Sequence, residues 1–170
     1  MPKKALFIVA QKNFRDEEFL IPKEILEKRG IKTAAAAKAK SPALGKLGAE
    51  VMPDLALAEV QAKDFDAVIF VGGTGARDYY DDLEALKIAR DFKAAGKILA
   101  AICAGPSILA NAGVLIGKTA TGFPSEEENI KSKGAFYTGM QVEVDGLVVT
   151  AKDPSAAREF GEKLAYLLEE

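Results

Sequence analysis

The sequence predicts an α/β fold: a mainly parallel sheet with helices covering both faces. Two observations carry this. Short continuous apolar runs rich in branched residues, ALFIVA (5–10), DAVIFV (66–71) and KILAAIC (97–103), read as strands buried on both faces. Each is followed by a longer segment that ends at a glycine, as helices do. Strands alternating with helices of this length imply right-handed crossovers and a covered parallel sheet. In such sheets, sites lie beyond the carboxyl ends of the strands.

The elements follow in chain order. After the first strand, DEEFLIPKEILEKRG (16–30) is a helix whose acidic residues 16–18 suit the N-terminal dipole and whose Gly30 suits the C-terminal cap. Phe19, Leu20, Ile25 and Leu26 fall roughly on one face, and Pro22 belongs in or near the first turn, since deeper in it would kink the helix. IKTAAAA (31–37) is a second strand, and the turn-rich KAKSPALGKLGAEVMPD (38–54) is a small hairpin or excursion. DAVIFVGGTGARDYY (66–80) is a strand running into a glycine turn, and DDLEALKIARDFKAAGK (81–97) is an amphipathic helix ending at Gly96. The strand KILAAIC, the helix AGPSILANAG (104–113), a short strand GKTATG (117–122) and a polar helix SEEENIKSKG (125–134) come next. A hairpin QVEVDGLVVTA (141–151), turning at Asp145 and Gly146, and a last helix from about Pro154 complete the chain.

Composition narrows the function. A chain of 170 residues with no internal repeat or linker is expected to be one domain, residues 1–170, burying about 70% of its unfolded surface. With 49% hydrophobic and 28% charged residues and a net charge of −2, nothing draws it to nucleic acid or an anionic membrane. Its single cysteine, Cys103, excludes an internal disulfide and suits a reducing, cytoplasmic setting. With no histidine, a metal site would have to rest on carboxylates, so no metal or other cofactor is expected. The run after the two N-terminal lysines is short and lacks a small-residue cleavage site, so it reads as a strand rather than a signal.

Two features fall at the sheet edge where sites lie. In VGGTGAR (71–77), adjacent glycines let backbone N–H groups approach a ligand or a developing negative charge, or else simply make a tight turn. The stretch matches neither a phosphate loop nor a dinucleotide fingerprint. Cys103 is the second feature. Small residues two before and two after it, Ala101 and Gly105, meet the steric requirement of a nucleophile elbow between strand and helix. The first N–H groups of the following helix, with Pro106 near its start, would favour thiolate and lower the pKa from about 8.5 to roughly 4–7.5. The alternative is a buried cysteine acting as a small hydrophobe. Tyr79 and Tyr80 either line the pocket mouth, form a dimer contact or cap the core, and Arg77 either attracts an anionic substrate or is solvated.

AAICAGPSILANAGVLIGK (100–118) closely resembles the nucleophile segment of the ThiJ/PfpI superfamily. The acidic residue four before a proline (Glu18 to Pro22), DAVIFVGGTGA and the closing VDGLVVTA hairpin with its last helix occur in that family's order. The resemblance implies a flavodoxin-like three-layer sandwich, class I glutamine amidotransferase-like, that is dimeric or built from dimers. It further implies that Cys103 is the nucleophile, that the Glu18 carboxyl lies beside its sulfur, and that the backbone N–H groups of Gly73 and Ala104 form an anion-binding pocket; by their places in the sequence, Gly72, Tyr79 and Phe123 are expected to line it. Read without the resemblance, Glu18 is more simply a solvated first-turn acid, like Asp16 and Glu17. Beside a thiolate it would share one proton with the sulfur, most simply as the neutral acid.

The chain departs from the family's pattern at both familiar histidine positions, where it has Ala104 directly after the cysteine and Phe123 before Pro124. Without imidazole to protonate an amine leaving group, peptidase activity is not expected. Addition of a thiolate to a small-molecule aldehyde is easier to retain, which is the glyoxalase or deglycase expectation. The alternative is a redox sensor or stress protein in which Cys103 oxidises to sulfinate; a third is a binding scaffold with a vestigial cysteine.

Overall fold

The apolar runs form the middle of the sheet in a computed structural model that describes residues 1–170. The chain forms β1 (Lys4–Ile8), β2 (Lys12–Phe14), α1 (Asp16–Lys28), β3 (Lys32–Ala37), β4 (Ala43–Gly45), β5 (Glu50–Val51), β6 (Leu55–Ala56) and β7 (Ala67–Phe70). It continues with α2 (Leu83–Ala94), β8 (Ile98–Ile102), α3 (Pro106–Asn111), β9 (Thr119–Ala120), α4 (Glu127–Ser132), β10 (Phe136–Tyr137), β11 (Val142–Asp145), β12 (Val148–Ala151) and α5 (Ala157–Glu169). The seven-stranded sheet runs β11-β12-β8-β7-β1-β3-β6, parallel throughout except for the β11–β12 hairpin. Alternate residues of β1, β7 and β8 feed two separate apolar cores, one under α1 and α5 and the other under α2, α3 and α4. The result is the mixed α/β, flavodoxin-like sandwich that the alternation of elements predicts.

The structure corrects several details. The GKTATG segment stays outside the main sheet, because β9 pairs with β10 in a two-stranded sheet of their own. The small hairpin expected after β3 is present as the antiparallel pair β4 and β5, and β4 also pairs with β2 to make a third small sheet. The hairpin turns one residue later than expected, over Gly146 and Leu147. In α1, Leu20 points outward at 47% exposure, and Pro22 lies in the second turn, not the first. Pro22 is buried there, and its backbone lies against Gly161 of α5, where a side chain would collide. The helix tolerates the missing N–H because packing against α5, more than propensity, holds it. No helix is long and apolar enough to cross a membrane.

Candidate active site

β1, β7 and β8 lie side by side at the centre of the sheet, so the segments leaving their carboxyl ends meet. Cys103 leaves β8 with φ of 64°, one of two residues other than glycine in the left-handed region. Such a conformation costs about 1–2 kcal/mol and persists only where its surroundings hold it. Two hydrogen bonds do so: the Cys103 N–H donates to the Ala151 carbonyl at 2.9 Å, and its own carbonyl accepts the Phe123 N–H at 2.9 Å. The second also fixes Phe123 at the cleft.

Glu18 comes from the first turn of α1, yet its side chain is fully buried. Its Oε1 accepts the Gly72 N–H at 3.0 Å, while Oε2 has no partner of good geometry. A Cβ on Gly72 would fall 2.5 Å from Glu18 Oε1 and 2.7 Å from Cys103 Cβ, so carboxyl and thiol flank the space that this glycine leaves open. Gly73 has φ of 101°, and a Cβ there would meet the Arg15 nitrogen at 2.5 Å. The double glycine therefore lets the loop pass under the start of α1, with the Gly72 amide on the Glu18 carboxyl and the Gly73 amide facing sulfur.

The protonation of this pair follows from burial. Burial pushes the Glu18 carboxyl up to about 8, against hydrogen bonds from the Cys103 thiol and the Gly72 N–H. Burial also pushes the Cys103 thiol up, and the Glu18 charge and hydrogen bond act in the same direction; the N–H groups of Gly73 and Ala104 pull it back. The expectation that the helix start alone would depress the thiol thus needs correcting. Burial outweighs it, and α3 is only six residues long, with a correspondingly small dipole. Two acids in one dry pocket do not both ionise: both are raised, so the pair rests protonated near neutral pH, and loss of one proton leaves a single proton shared between them. When Glu18 holds that proton, its charge no longer opposes the thiolate, and the two amides favour sulfur as the anion.

A cleft of about 170 Å³ opens onto Cys103, Glu18, Gly73 and Ala104, and Phe123 also lines it at 41% exposure. Gly72 is buried behind the pair and does not line this opening. Tyr79 is placed elsewhere, which corrects the expectation of a pocket role. It is buried in the α2-side core, its hydroxyl donating to the Val9 carbonyl at 2.9 Å and accepting the Lys38 N–H at 2.9 Å. Tyr79→Phe is accordingly expected to cost about 1–3 kcal/mol in urea unfolding, because it strands both partners. Altered Cys103 alkylation at unchanged stability would instead mark Tyr79 as a pocket residue.

Sequence reasoning missed Arg15, Lys46 and Glu126, all of which line the cleft. Glu126 sits in a run of three glutamates that reads as an ordinary helix start. Its Oε1 accepts the hydroxyls of Tyr80 and Ser107, and Oε2 accepts that of Ser125. Burial works to raise this carboxyl, but the three hydroxyl donors hold it below the usual range, so it stays charged. Asp16 is also not solvated: it is buried and accepts the N–H groups of Leu47 and Ala49 at 2.8 and 2.7 Å.

A cysteine on a strained strand-to-helix turn, with a buried carboxyl beside it, at the central edge of a flavodoxin-like sheet, defines a class of elbow-cysteine sandwich proteins. Comparison with known proteins agrees. A family model described as DJ-1/PfpI matches residues 3–167, and the chain belongs to that family. It is 34% identical to Deglycase PfpI of Pyrococcus furiosus over 151 residues, 89% of this chain and 90% of that protein. It is 32% identical to Protein dj-1beta of Drosophila melanogaster, over 97% of this chain and 89% of that one. Among solved structures, a ThiJ/PfpI domain protein from Brachyspira murdochii superposes with a TM-score of 0.97 at 34% identity, covering 99% of this chain and 98% of that chain.

Proposed function

We propose that this protein is a cofactor-independent enzyme acting on reactive aldehydes, of the glyoxalase or deglycase kind, through Cys103 and Glu18. The observation that carries the reading is the buried Glu18 carboxyl, kept protonated to about 8 beside a strained cysteine whose sulfur meets two backbone amides. Similarity to several archaeal proteins named deglycases supports it. The thiolate adds to the aldehyde carbon of a 2-oxoaldehyde, and the carbonyl oxygen takes the Glu18 proton to give a hemithioacetal. The Glu18 carboxylate then removes the C1 proton and returns a proton to C2, so the hemithioacetal becomes a 2-hydroxy thioester. Water hydrolyses the thioester to the 2-hydroxy acid and restores the thiol. Oxidation at C1 is balanced by reduction at C2, so no external redox partner is required. With no imidazole in the chain to activate the nucleophile and protonate an amine leaving group, peptide hydrolysis is not part of this reading.

The unpartnered Glu18 Oε2 favours a second reading, in which peroxide oxidises Cys103 to sulfenate and then sulfinate and the neutral carboxyl donates to a sulfinate oxygen. Formation of lactate from methylglyoxal separates the two. Wild-type protein is expected to form lactate, Cys103→Ala none, and Glu18→Gln at least about a hundredfold less, the usual scale of one general acid–base group. Absence of any cysteine-dependent lactate sinks the enzyme reading. Gain of two oxygens on Cys103 at low peroxide dose, weakened by Glu18→Leu, supports the sensor.

A further inference from the structure

We infer that the cleft selects anionic carbonyl compounds, 2-oxoaldehydes bearing a carboxylate or phosphate group, through Arg15, Lys46 and Arg77. The reaction rests on the aldehyde reading above; the preference for an anion does not. Three cations reach one cleft from three separate elements: the residue before α1, the turn after β4 and the 3-10 stretch Thr74–Tyr79 after the glycine loop. The protein as a whole carries a net charge of −2, so this clustering is local. Lys46 and Arg77 form no salt bridge. Arg15 pairs through both nitrogens with Glu17, which lies outside the cleft lining.

The acidic residues at the cleft do not cancel this charge. Glu18 keeps its proton to about 8, and Glu126 is one carboxylate whose oxygens already accept three hydroxyls. An incoming anion therefore meets two cations that form no salt bridge, Lys46 and Arg77, together with Arg15, whose partner Glu17 stands outside the cleft, against the one committed Glu126 carboxylate. Guanidinium forks fit planar carboxylates and phosphate oxygens in pairs.

Lys46 is held at the cleft by buried chemistry. The Asp16 carboxylate ties down the N–H groups of Leu47 and Ala49, the Lys46 N–H donates to the Phe14 carbonyl at 2.9 Å, and Gly45 leaves room for the carboxylate at 2.6 Å from where a Cβ would stand. The turn that carries Lys46 is thus pinned to the segment that carries Arg15. A substrate with its anionic group on the carbon beyond the ketone would place that group toward these cations while its aldehyde meets Cys103. The balance is unchanged: 2-oxoaldehyde plus water gives 2-hydroxy acid, with the anionic substituent a spectator.

Iodoacetate and iodoacetamide test the inference, since both alkylate sulfur with loss of iodide and differ in charge. Cys103 is the sole cysteine, so all thiol alkylation reports on it. The ratio of the two rates is expected to exceed that of N-acetylcysteine at least about fivefold, and to fall about two- to threefold in each of Lys46→Gln and Arg77→Gln and with added salt. Inorganic phosphate and acetate, each tested as a protectant against iodoacetate, show which anion the cleft prefers. A ratio equal to that of the free thiol and unmoved by both substitutions overturns the inference. A raised ratio without lactate formation removes the enzyme reading and leaves the anion preference standing; lactate formation with an ordinary ratio does the reverse.

Discussion

Replacing Glu18 by Gln is expected to stabilise the protein, by an amount that grows as pH rises from about 4.5 to about 8. The folded carboxyl holds its proton to about 8, while in the unfolded chain it releases that proton at the ordinary value of 4.5. The group's contribution to stability is therefore fully present below the unfolded value and is lost as pH climbs toward the folded one. Integrated over that window, the loss is on the order of 5 kcal/mol at alkaline pH, and full burial means that solvent does not screen it away. Glutamine keeps the volume and an oxygen to accept the Gly72 N–H, but it does not titrate. Urea midpoints of wild type and Glu18→Gln, compared at about pH 5 and about pH 8, check this. A stability gap that stays flat with pH would show that Glu18 is not held as the neutral acid. The same substitution removes the proton carrier, so stability and turnover should move in opposite directions, as expected of a strained functional site.

Glu18 also shows where sequence reading reaches its limit. Its position in an acidic first turn, beside Asp16 and Glu17, has the pattern of a solvated helix start, and only the family resemblance points inward. The three neighbours have three fates that no periodicity separates: Asp16 anchors a turn, Glu17 pairs with Arg15, and Glu18 is buried. Pro22 misleads for a related reason. Contact with Gly161 of α5, across most of the chain, makes its place in the second turn tolerable. Local signals succeed where the cause is local. The apolar runs of β1, β7 and β8 show burial on both faces, and the small residues around Cys103 mark the close passage of strand and helix. Arg15, Lys46 and Glu126 come together only because the topology brings the edges of three loops to one cleft, and nothing near any of them in sequence signals the others.

Gly105→Ala is expected to destabilise the protein by about 3 kcal/mol and to displace the thiol, although local preference predicts the opposite. The backbone at 105 is right-handed helical, with φ −55° and ψ −40°, where alanine is favoured over glycine by about 1 kcal/mol. Any loss is therefore steric. The added methyl would press onto the carbonyl oxygen of Phe70, 3.0 Å from that of Ile102 and 3.2 Å from the Ala101 side chain. These atoms belong to β7 and β8 at the centre of the sheet and cannot yield as a surface side chain would. Gly96→Ala supplies the contrast: that glycine has φ of 70° and nothing within 4 Å of a built Cβ, so its cost is the conformational one of about 1–2 kcal/mol. Denaturant midpoints of the two variants separate the causes, and a Gly105→Ala protein no less stable than Gly96→Ala would mean that the elbow does not depend on this close passage. If the account is right, relief comes at the softest point, the strained Cys103. Moving it breaks the bonds to Ala151 and Phe123 and takes sulfur away from the amides of Gly73 and Ala104. Cys103 alkylation in Gly105→Ala should then lose its preference for iodoacetate over iodoacetamide.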